Sequence, residues 1–345
     1  MNCCAECFHD AQIRAMITAN NQIGECSFCG SENIPIYPVD KQTDLSDLIS
    51  EVIGMYEKCD DGEPLFQILL NDWSIFNKAL PCANSLVEAF CSVIFGDYGH
   101  DHNIRVRIPR NAIENYGIFG GHTWEEFSIA IKNKNRFHNG FFRADQFALF
   151  LTYATKKYLK GTILFRARIW PDNKGLNVSE MGAPPFGKRK AGRVNPEGIG
   201  VLYLTSDEKT ALSEVRASTF DFVSVGRFRL LKDINVVHIS GLNNISPVLY
   251  SSGLESLTAN IKIFSDIAKE IAKPLRRNDS PLEYLPTQYI AEFIKSKGYA
   301  GVEFASTMAA GGNNIAVFDE SLFECEAVHD VEIKKLEYSY NDFAL

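Results

Sequence analysis

The stretch "AGRVNPEGIGVLYLTSDEKTALSEVRA", residues 191–217, predicts a loop, a strand and a helix in succession. Its first part is rich in glycine and proline and indicates a loop, and "VLYLT" indicates a β-strand. Thr205 and Glu208 have the spacing of a capping box, which predicts that a helix begins there. Ala211, Leu212 and Val215 then form the buried stripe of that helix. The stretch therefore favours a mixed α+β fold.

Three polar side chains in this stretch do not follow from the fold alone. Glu214 lies three residues after Ala211 and borders the buried stripe, so its carboxylate is partly desolvated and needs a partner. Arg193, on the loop before the strand, could reach over Tyr203 toward it. Two interpretations stay open from these residues: a ligand site, or a structural Arg–Glu pair beside a core tyrosine.

The surrounding sequence extends the α+β pattern over residues 159–325. Short β-branched and aromatic segments such as "TILFRARIW", "FVSVGRFRL", "INVVHIS", "AGVEFAS" and "NIAVF" alternate with Gly, Pro and Asn. A second helix is predicted from Pro286 to Gly298. Residues 326–345 are acidic and are predicted to be a tail.

Residues 36–158 predict a helical domain. One apolar face is formed within residues 45–56, and further helices are predicted at 73–80, 83–95, 123–132 and 144–159. The aromatic residues of these segments are interpreted as core.

Four cysteines in residues 1–35 predict a small zinc-knuckle segment. Cys4 and Cys7 form one pair and Cys26 and Cys29 a second, a spacing that suits a tetrahedral zinc site; Gly30 suits the turn after the second pair. Four thiolates leave no open position, so a structural zinc is favoured over a catalytic one. Cys3 and His9 are possible substitutes for one ligand, and four unrelated thiols are the alternative.

Composition limits the class of protein. The chain has 345 residues, 46% hydrophobic and 23% charged, with a net charge of −8. This balance predicts a globular protein and argues against general binding to nucleic acids or anionic membranes, although a local basic patch stays compatible with it. Neither a secretory leader nor an apolar run of membrane-spanning length is visible, so a cytoplasmic location and reduced cysteines are expected.

Three segments together resemble the RES domain. They are "LFRAR", the opening stretch, and "LEYLPTQYIAEFIKSKGYAGVEFASTMAAGGNNIAVF", and they span roughly residues 160–320. Their shared motifs occur in the family's order: GR-x-N-x-x-G ending in LY, then TAL-x-E, then a helix opened by PTQ, and a serine before a GGxN loop.

The resemblance implies an NAD⁺-consuming enzyme whose fold is similar to that of the ADP-ribosyltransferase toxins. RES proteins are commonly bacterial toxins that break the nicotinamide–ribose bond by hydrolysis or phosphorolysis, and some transfer ADP-ribose to a protein. Many are paired with an antitoxin that blocks the active site. The expected partners are therefore NAD⁺, an antitoxin or other regulatory protein, a second copy of the chain and, for phosphorolysis, phosphate.

Residue by residue, the resemblance implies a site of Arg166, Arg193, Tyr203, Glu214 and Ser306, with Asn195 of the GR-x-N motif as a further binding residue. Arg168 lies on the same side of its strand as Arg166 and stays an alternative.

The chemistry of these side chains agrees with that site. A carboxylate stabilises the oxocarbenium-like ribose that forms when nicotinamide leaves, which is the role predicted for Glu214. Arg193 and Arg166 can grip a pyrophosphate with their planar forks, and Tyr203 can stack on nicotinamide. Ser306 could bind a substrate oxygen, hold Glu214, or simply cap a strand.

Two basic and glycine-rich segments have weaker signals. Lys188 and Arg189 could recruit phosphate, or could lie on a solvated loop. Gly311, Gly312 and Asn313 could let the backbone approach a ligand, or could form a tight turn.

The N-terminal half resembles, more weakly, the HEPN-like helical domain of longer RES proteins. HEPN ribonucleases place a histidine four to six residues after an arginine, a spacing that no histidine of this chain has; Arg136 and His138 are too close. A regulatory, dimerising or sensing role is therefore expected for this half.

Three functions stay open from the sequence. The first is an NAD⁺ glycohydrolase or phosphorylase. The second is an ADP-ribosyltransferase with a protein or nucleic-acid acceptor, and the third is a zinc-ribbon binding module whose RES-like domain senses NAD⁺.

Overall fold

The computed structural model describes residues 1–96, 104–171, 174–274 and 280–337. The chain divides into two compact units. Unit 1 comprises Met1–Ala130, Lys134–Ala154 and Ser240–Asp266, and unit 2 comprises Ile131–Asn133, Thr155–Ile239 and Ile267–Leu345. The predicted domain limits at residues 35, 158 and 325 stay predictions.

Unit 1 contains two small sheets and most of the helices. The strands are β1 (Asn2–Cys4), β2 (Ile23–Gly24), β3 (Ile34–Pro38), β4 (Glu57–Pro64) and β5 (Arg105–Arg107). The helices are α1 (Ala11–Thr18), α2 (Asp44–Gly54), α3 (Leu65–Asn71), α4 (Ala83–Phe95), α5 (Arg110–Tyr116), α6 (Trp124–Asn133) and α7 (Ala144–Tyr153). Helix α2 begins at a Thr43–Ser46 capping box and buries Leu45, Ile49 and Val52, which confirms the predicted amphipathic helix.

The helix predicted at residues 73–80 is wrong. Trp73 and Phe76 are buried as expected, but this backbone pairs with the first turn of the chain instead of with itself. The Ile75 carbonyl accepts from the His9 amide, and the Asn77 amide donates to the Cys7 carbonyl. These bonds satisfy the backbone groups that a helix would have satisfied internally.

Unit 2 is built on one mixed sheet of eight strands. The strands are β6 (Thr155–Tyr158), β7 (Ile163–Ile169), β8 (Leu202–Thr205), β9 (Phe222–Leu230), β10 (Ile234–His238), β11 (Gly301–Ala305), β12 (Asn313–Val317) and β13 (Phe323–Glu332). Their order is β13-β9-β7-β8-β12-β11-β10-β6, with β10 and β11 parallel and the other neighbours antiparallel. The predicted α+β class with a large C-terminal sheet is confirmed.

Helix α8 (Glu208–Glu214) and helix α10 (Leu285–Ser296) pack in unit 2. Leu164, Leu202, Leu204, Phe228 and Ile315 are among the buried residues of one core cluster. Ala167, Ala211 and Val225 are buried in a second cluster that includes helix α8.

Three details differ from the sequence-based prediction. The cap of α8 is Asp207, whose carboxylate accepts from the Thr210 amide, while Thr205 belongs to strand β8. The helix predicted at 144–159 ends at Tyr153, because residues 155–158 pair with β10 as the edge strand β6. Helix α9 (Leu254–Ala272) and strand β13 are present but not predicted.

Candidate active site and metal centre

The four predicted zinc ligands converge in unit 1. Ligand atoms of Cys4, Cys7, Cys26 and Cys29 all lie within 4.8 Å of one another. The Sγ–Sγ distances are 3.8 Å for Cys4–Cys7, 3.4 Å for Cys4–Cys29 and 3.5 Å for Cys7–Cys26. Four sulfurs around a tetrahedral Zn²⁺ would be separated by about 3.8 Å, so the cluster fits the ion.

The knuckle geometry agrees with this fit. The Cys29 amide points at the Cys26 sulfur, and Gly30, with a φ of 72°, turns the chain so that its amide binds the Cys26 carbonyl. The Cys3 thiol is fully buried and donates to the Tyr37 carbonyl, and burial raises its pKa. His9 is exposed. Neither Cys3 nor His9 belongs to the four-residue group.

The predicted catalytic residues surround one cleft in unit 2. Its volume is about 320 Å³, and Arg166, Arg193, Tyr203 and Glu214 line it. The cleft lies beside the seam between β7 and β8, which share a single registered pair, Phe165 with Thr205. Neighbouring strands elsewhere in this sheet pair over three or more residues. The departure from regular pairing opens the space that the cleft occupies.

Glu214 is the last residue of helix α8, and its side chain is 20% exposed. Its Oε1 accepts from Ser306 Oγ at 2.7 Å and from Asn314 Nδ2 at 2.7 Å. Its Oε2 lies 3.7 Å from Arg193 Nη2, too far for a direct hydrogen bond. One carboxylate oxygen is therefore held by the protein, and the other has a cation beside it with room for a third group.

Ser306 both caps a turn and contacts the carboxylate, so two of its predicted roles coexist. Its Oγ accepts from the Met308 and Ala309 amides and donates its own hydrogen to Glu214. Ser306 reaches the site through Glu214, since it is not itself among the residues that line the cleft.

Arg193 is held by a main-chain carbonyl, an aromatic ring and a threonine hydroxyl. Its Nη1 donates to the Ala272 carbonyl at 3.0 Å, and its guanidinium carbon lies 5.6 Å from the centre of the Phe304 ring. Its own carbonyl accepts from Thr287 Oγ1 at 2.6 Å. These contacts fix the guanidinium so that its Nη2 faces Glu214.

The GR-x-N loop is locked to strand β8 and to helix α10. Tyr203 donates its hydroxyl to Asn195 Oδ1 at 2.7 Å, and Asn195 Nδ2 donates to the Lys190, Pro196 and Ile199 carbonyls. Gln288 Nε2 donates to the Gly192 and Asn195 carbonyls. These bonds engage both polar atoms of the Asn195 side chain, so its predicted part in substrate binding stays a prediction.

Arg166, unlike Arg168, lines the cleft. Arg166 Nη1 donates to the Tyr203 carbonyl at 3.1 Å, and its buried Nε has no hydrogen-bond partner among the described residues. Burial, with a contribution from the charge of Arg168, lowers the pKa of Arg166 to about 10. Arg168 instead donates to the Gly182 carbonyl. A cation with an unfilled donor beside the cleft can bind an anionic oxygen.

The two weaker signals have local explanations. Arg189 Nε donates to the Pro184 carbonyl within its own loop, and Lys188 is exposed. The turn at residues 309–312 joins β11 to β12, and a Cβ on Gly312 would lie 2.2 Å from Thr210 Oγ1. Gly312 therefore allows the backbone of this turn to lie close to helix α8.

Sequence reasoning missed three contributions to the site. Asn314 was not named as a site residue, although it is the asparagine of the GGxN motif, and Thr287 and Gln288 were noted only as a motif. The signal that could have found Asn314 is its place at the end of the GGxN motif, since its pairing with Thr205 exists only in the folded sheet. Phe304 and Tyr284 also line the cleft.

None of the helices in the described ranges combines the length and the apolar character needed to cross a membrane.

Comparisons with known proteins give one family and one solved structure. No curated protein matches the chain at a significant level. The chain is similar to a solved structure titled the M. tuberculosis MbcT–MbcA toxin–antitoxin complex, with 10% sequence identity, a TM-score of 0.31 and coverage of 53% of this chain and 91% of that chain. The family model described as the RES domain matches residues 164–341, which is more than half of the chain and includes every residue of the cleft named above. The chain therefore belongs to the RES domain family.

Proposed function

We propose that the chain is a toxin-type enzyme that cleaves the nicotinamide–ribose bond of NAD⁺ in the unit 2 cleft. The observation that carries this proposal is that only one oxygen of the Glu214 carboxylate is hydrogen-bonded by the protein. Its Oε1 is held by Ser306 and Asn314, while its Oε2 lies in the cleft beside the Arg193 guanidinium. Membership of the RES domain family supports the same substrate.

The roles of the residues follow from charge. The bond between C1′ of the ribose and the nicotinamide nitrogen breaks, and its electron pair leaves with nicotinamide, which becomes neutral. Positive charge develops on the ribose, where the Glu214 carboxylate stabilises it. Arg193 and Arg166 bind the pyrophosphate oxygens, and Tyr203 contributes a ring for stacking.

Water or phosphate completes the reaction at C1′. Attack by water gives ADP-ribose and releases a proton, and attack by inorganic phosphate gives ADP-ribose 1″-phosphate. The same residues would serve a transfer of ADP-ribose to a protein or nucleic-acid acceptor, which is the second candidate function. No observation in the cleft favours that acceptor over a small nucleophile.

The N-terminal cysteines are assigned a structural Zn²⁺. When bound, the ion would cross-link two knuckles of unit 1, and it takes no part in the reaction. A separate antitoxin protein and a cytoplasmic location belong to the same proposal, because they are expected of RES toxins.

The test is incubation of the full chain with NAD⁺, with and without phosphate, and identification of the products by mass spectrometry. Release of nicotinamide with ADP-ribose or its 1″-phosphate supports the proposal and identifies the nucleophile. Glu214→Gln serves as the inactive control. NAD⁺ that stays intact with the purified chain, but is consumed in a cell extract with transfer of its labelled ADP-ribose to macromolecules, would favour the transferase. NAD⁺ that stays intact under both conditions would refute both functions.

A further inference from the structure

Asn314 is a buried polar residue of the cleft that contacts Glu214 and is not among the residues proposed to touch NAD⁺. It lies in strand β12, pairs with Thr205 of β8 and is only 6% exposed. Its amide contacts Glu214 Oε1 at 2.7 Å. An ionised carboxylate is only an acceptor, so the amide nitrogen must face it and act as the donor.

The carboxylate needs such a partner because of where helix α8 ends. Glu214 is the terminal residue of a helix from Glu208 to Glu214, and its carboxylate can rotate about its last side-chain bonds. Arg193 Nη2 lies 3.7 Å from Oε2, too far for a hydrogen bond that would fix the carboxylate. Ser306 and Asn314 both donate to Oε1 and so distinguish the two oxygens.

We infer that Asn314 is a positioning residue that, with Ser306, fixes the Glu214 carboxylate so that Oε2 alone faces the substrate. The inference rests on the proposed function and extends it from the residues that touch NAD⁺ to one that acts through Glu214. Ser306 Oγ accepts from two turn amides, which leaves its single hydroxyl hydrogen for the carboxylate. Asn314 approaches from a different strand and removes the remaining freedom of rotation.

The kinetic test compares Asn314→Leu, which keeps much of the side-chain shape but removes the donor, with Asn313→Leu. Asn313 is the adjacent residue of β12, whose side chain points to the opposite face of the sheet. Loss of a hydrogen bond to a charged group should lower kcat about 10- to 100-fold. KM should stay within about threefold, since Arg166 and Arg193 hold the pyrophosphate, and Asn313→Leu should match the wild type.

A second variant keeps the test decisive if Asn314→Leu folds poorly. Asn314→Asp has the same shape but places a second carboxylate against Glu214, so kcat should fall at least as far. A variant with a normal melting temperature and wild-type kcat, or one whose loss lies wholly in KM, would overturn the inference.

A crystallographic comparison separates this inference from the proposed function. In the wild-type crystal the Glu214 carboxylate should have one orientation, and in Asn314→Leu it should be turned or spread over several. An unchanged single orientation would overturn the inference, whether or not the wild type consumes NAD⁺. Absence of NAD⁺ cleavage by the wild type would refute the proposed function, and the carboxylate orientation would still decide the role of Asn314.

Discussion

Gly192→Ala is expected to destabilise unit 2 through a collision that can be read from the structure. A Cβ at Gly192 would lie 2.5 Å from Asn195 Oδ1 and 2.6 Å from the Tyr203 hydroxyl oxygen. Both atoms belong to the hydrogen bond that ties the loop to strand β8, so neither can move without weakening it. Overpacking of this kind costs about 1–3 kcal/mol. With a urea dependence of about 2 kcal/mol per M, the midpoint of unit 2 should fall by about 0.5–1.5 M.

The assay must report on unit 2 alone, because two units need not unfold together. The chain has three tryptophans, of which only Trp170 lies in unit 2. In protein labelled with 5-fluorotryptophan, the ¹⁹F resonance of Trp170 therefore follows unit 2 through a urea titration. Gly182→Ala is the matched control within unit 2, since a Cβ at Gly182 would meet only the end of the flexible Glu320 side chain, at 3.1 Å.

The same pair of contacts supplies a stricter test. Tyr203→Phe removes the hydroxyl that one collision requires, so Gly192→Ala should cost about 1 kcal/mol less in that background. A Gly192→Ala protein with the wild-type midpoint, or equal costs in both backgrounds, would refute the packing argument.

Three further predictions concern turnover, metal and pH. Glu214→Gln should reduce NAD⁺ turnover at least about 100-fold with an unchanged melting temperature, and near-normal turnover would remove Glu214 from the mechanism. Metal analysis should find one zinc per chain, and a chelator should increase hydrogen exchange mainly in residues 1–38; equal protection with and without chelator would contradict a structural zinc. Burial favours a raised pKa for Glu303, but the His238 imidazole 3.5 Å away and the hydrogen bond from Lys156 outweigh it and lower that pKa. The lowered pKa gives stability that is present above the ordinary glutamate pKa and is lost as pH falls through the folded value. Lys156→Met should therefore lower the free energy of unfolding of unit 2 by about 2 kcal/mol at pH 7. This is less than for a fully buried ion pair, because Lys156 is half-exposed. Near pH 4 the loss should be smaller still. If the loss of stability in Lys156→Met did not change with pH, lost packing rather than the lost charge would explain it.

The sequence predicted most of the site because its residues are concentrated in short motifs. Arg193, Tyr203 and Glu214 occur within one loop, strand and helix, and that local unit folds as predicted apart from its cap. Thr205 and Asp207 are both good capping residues. Asp207 is the cap because strand β8 extends through Thr205, which pairs with Asn314. Tertiary pairing of this kind is not visible in local spacing.

The parts that were missed depend on long-range partners. Residues 73–80 have a helical composition, but their backbone groups bind residues 7–9 of the cysteine knuckle. Helix α9 is a different case, because its buried Leu257, Ile261 and Phe264 have helical spacing, so its signal was present. Asn314 belongs to the GGxN motif, but its contact with Glu214 could not be assigned from the sequence, since the two residues are 100 positions apart along the chain.

That separation has a consequence for how the protein is made. The groups around the cleft are contributed by segments from Arg166 to Asn314, and strand β12 lies between β8 and β11 in the sheet. A ribosome that has synthesised Arg193, Tyr203 and Glu214 has therefore not yet supplied the strand that separates β8 from β11. Sheets with such distant pairings fold only after the late strands emerge. A nascent chain thus carries Glu214 for about 100 residues of synthesis before Asn314 exists to contact it, so the proposed activity should begin only when translation of the domain is nearly finished.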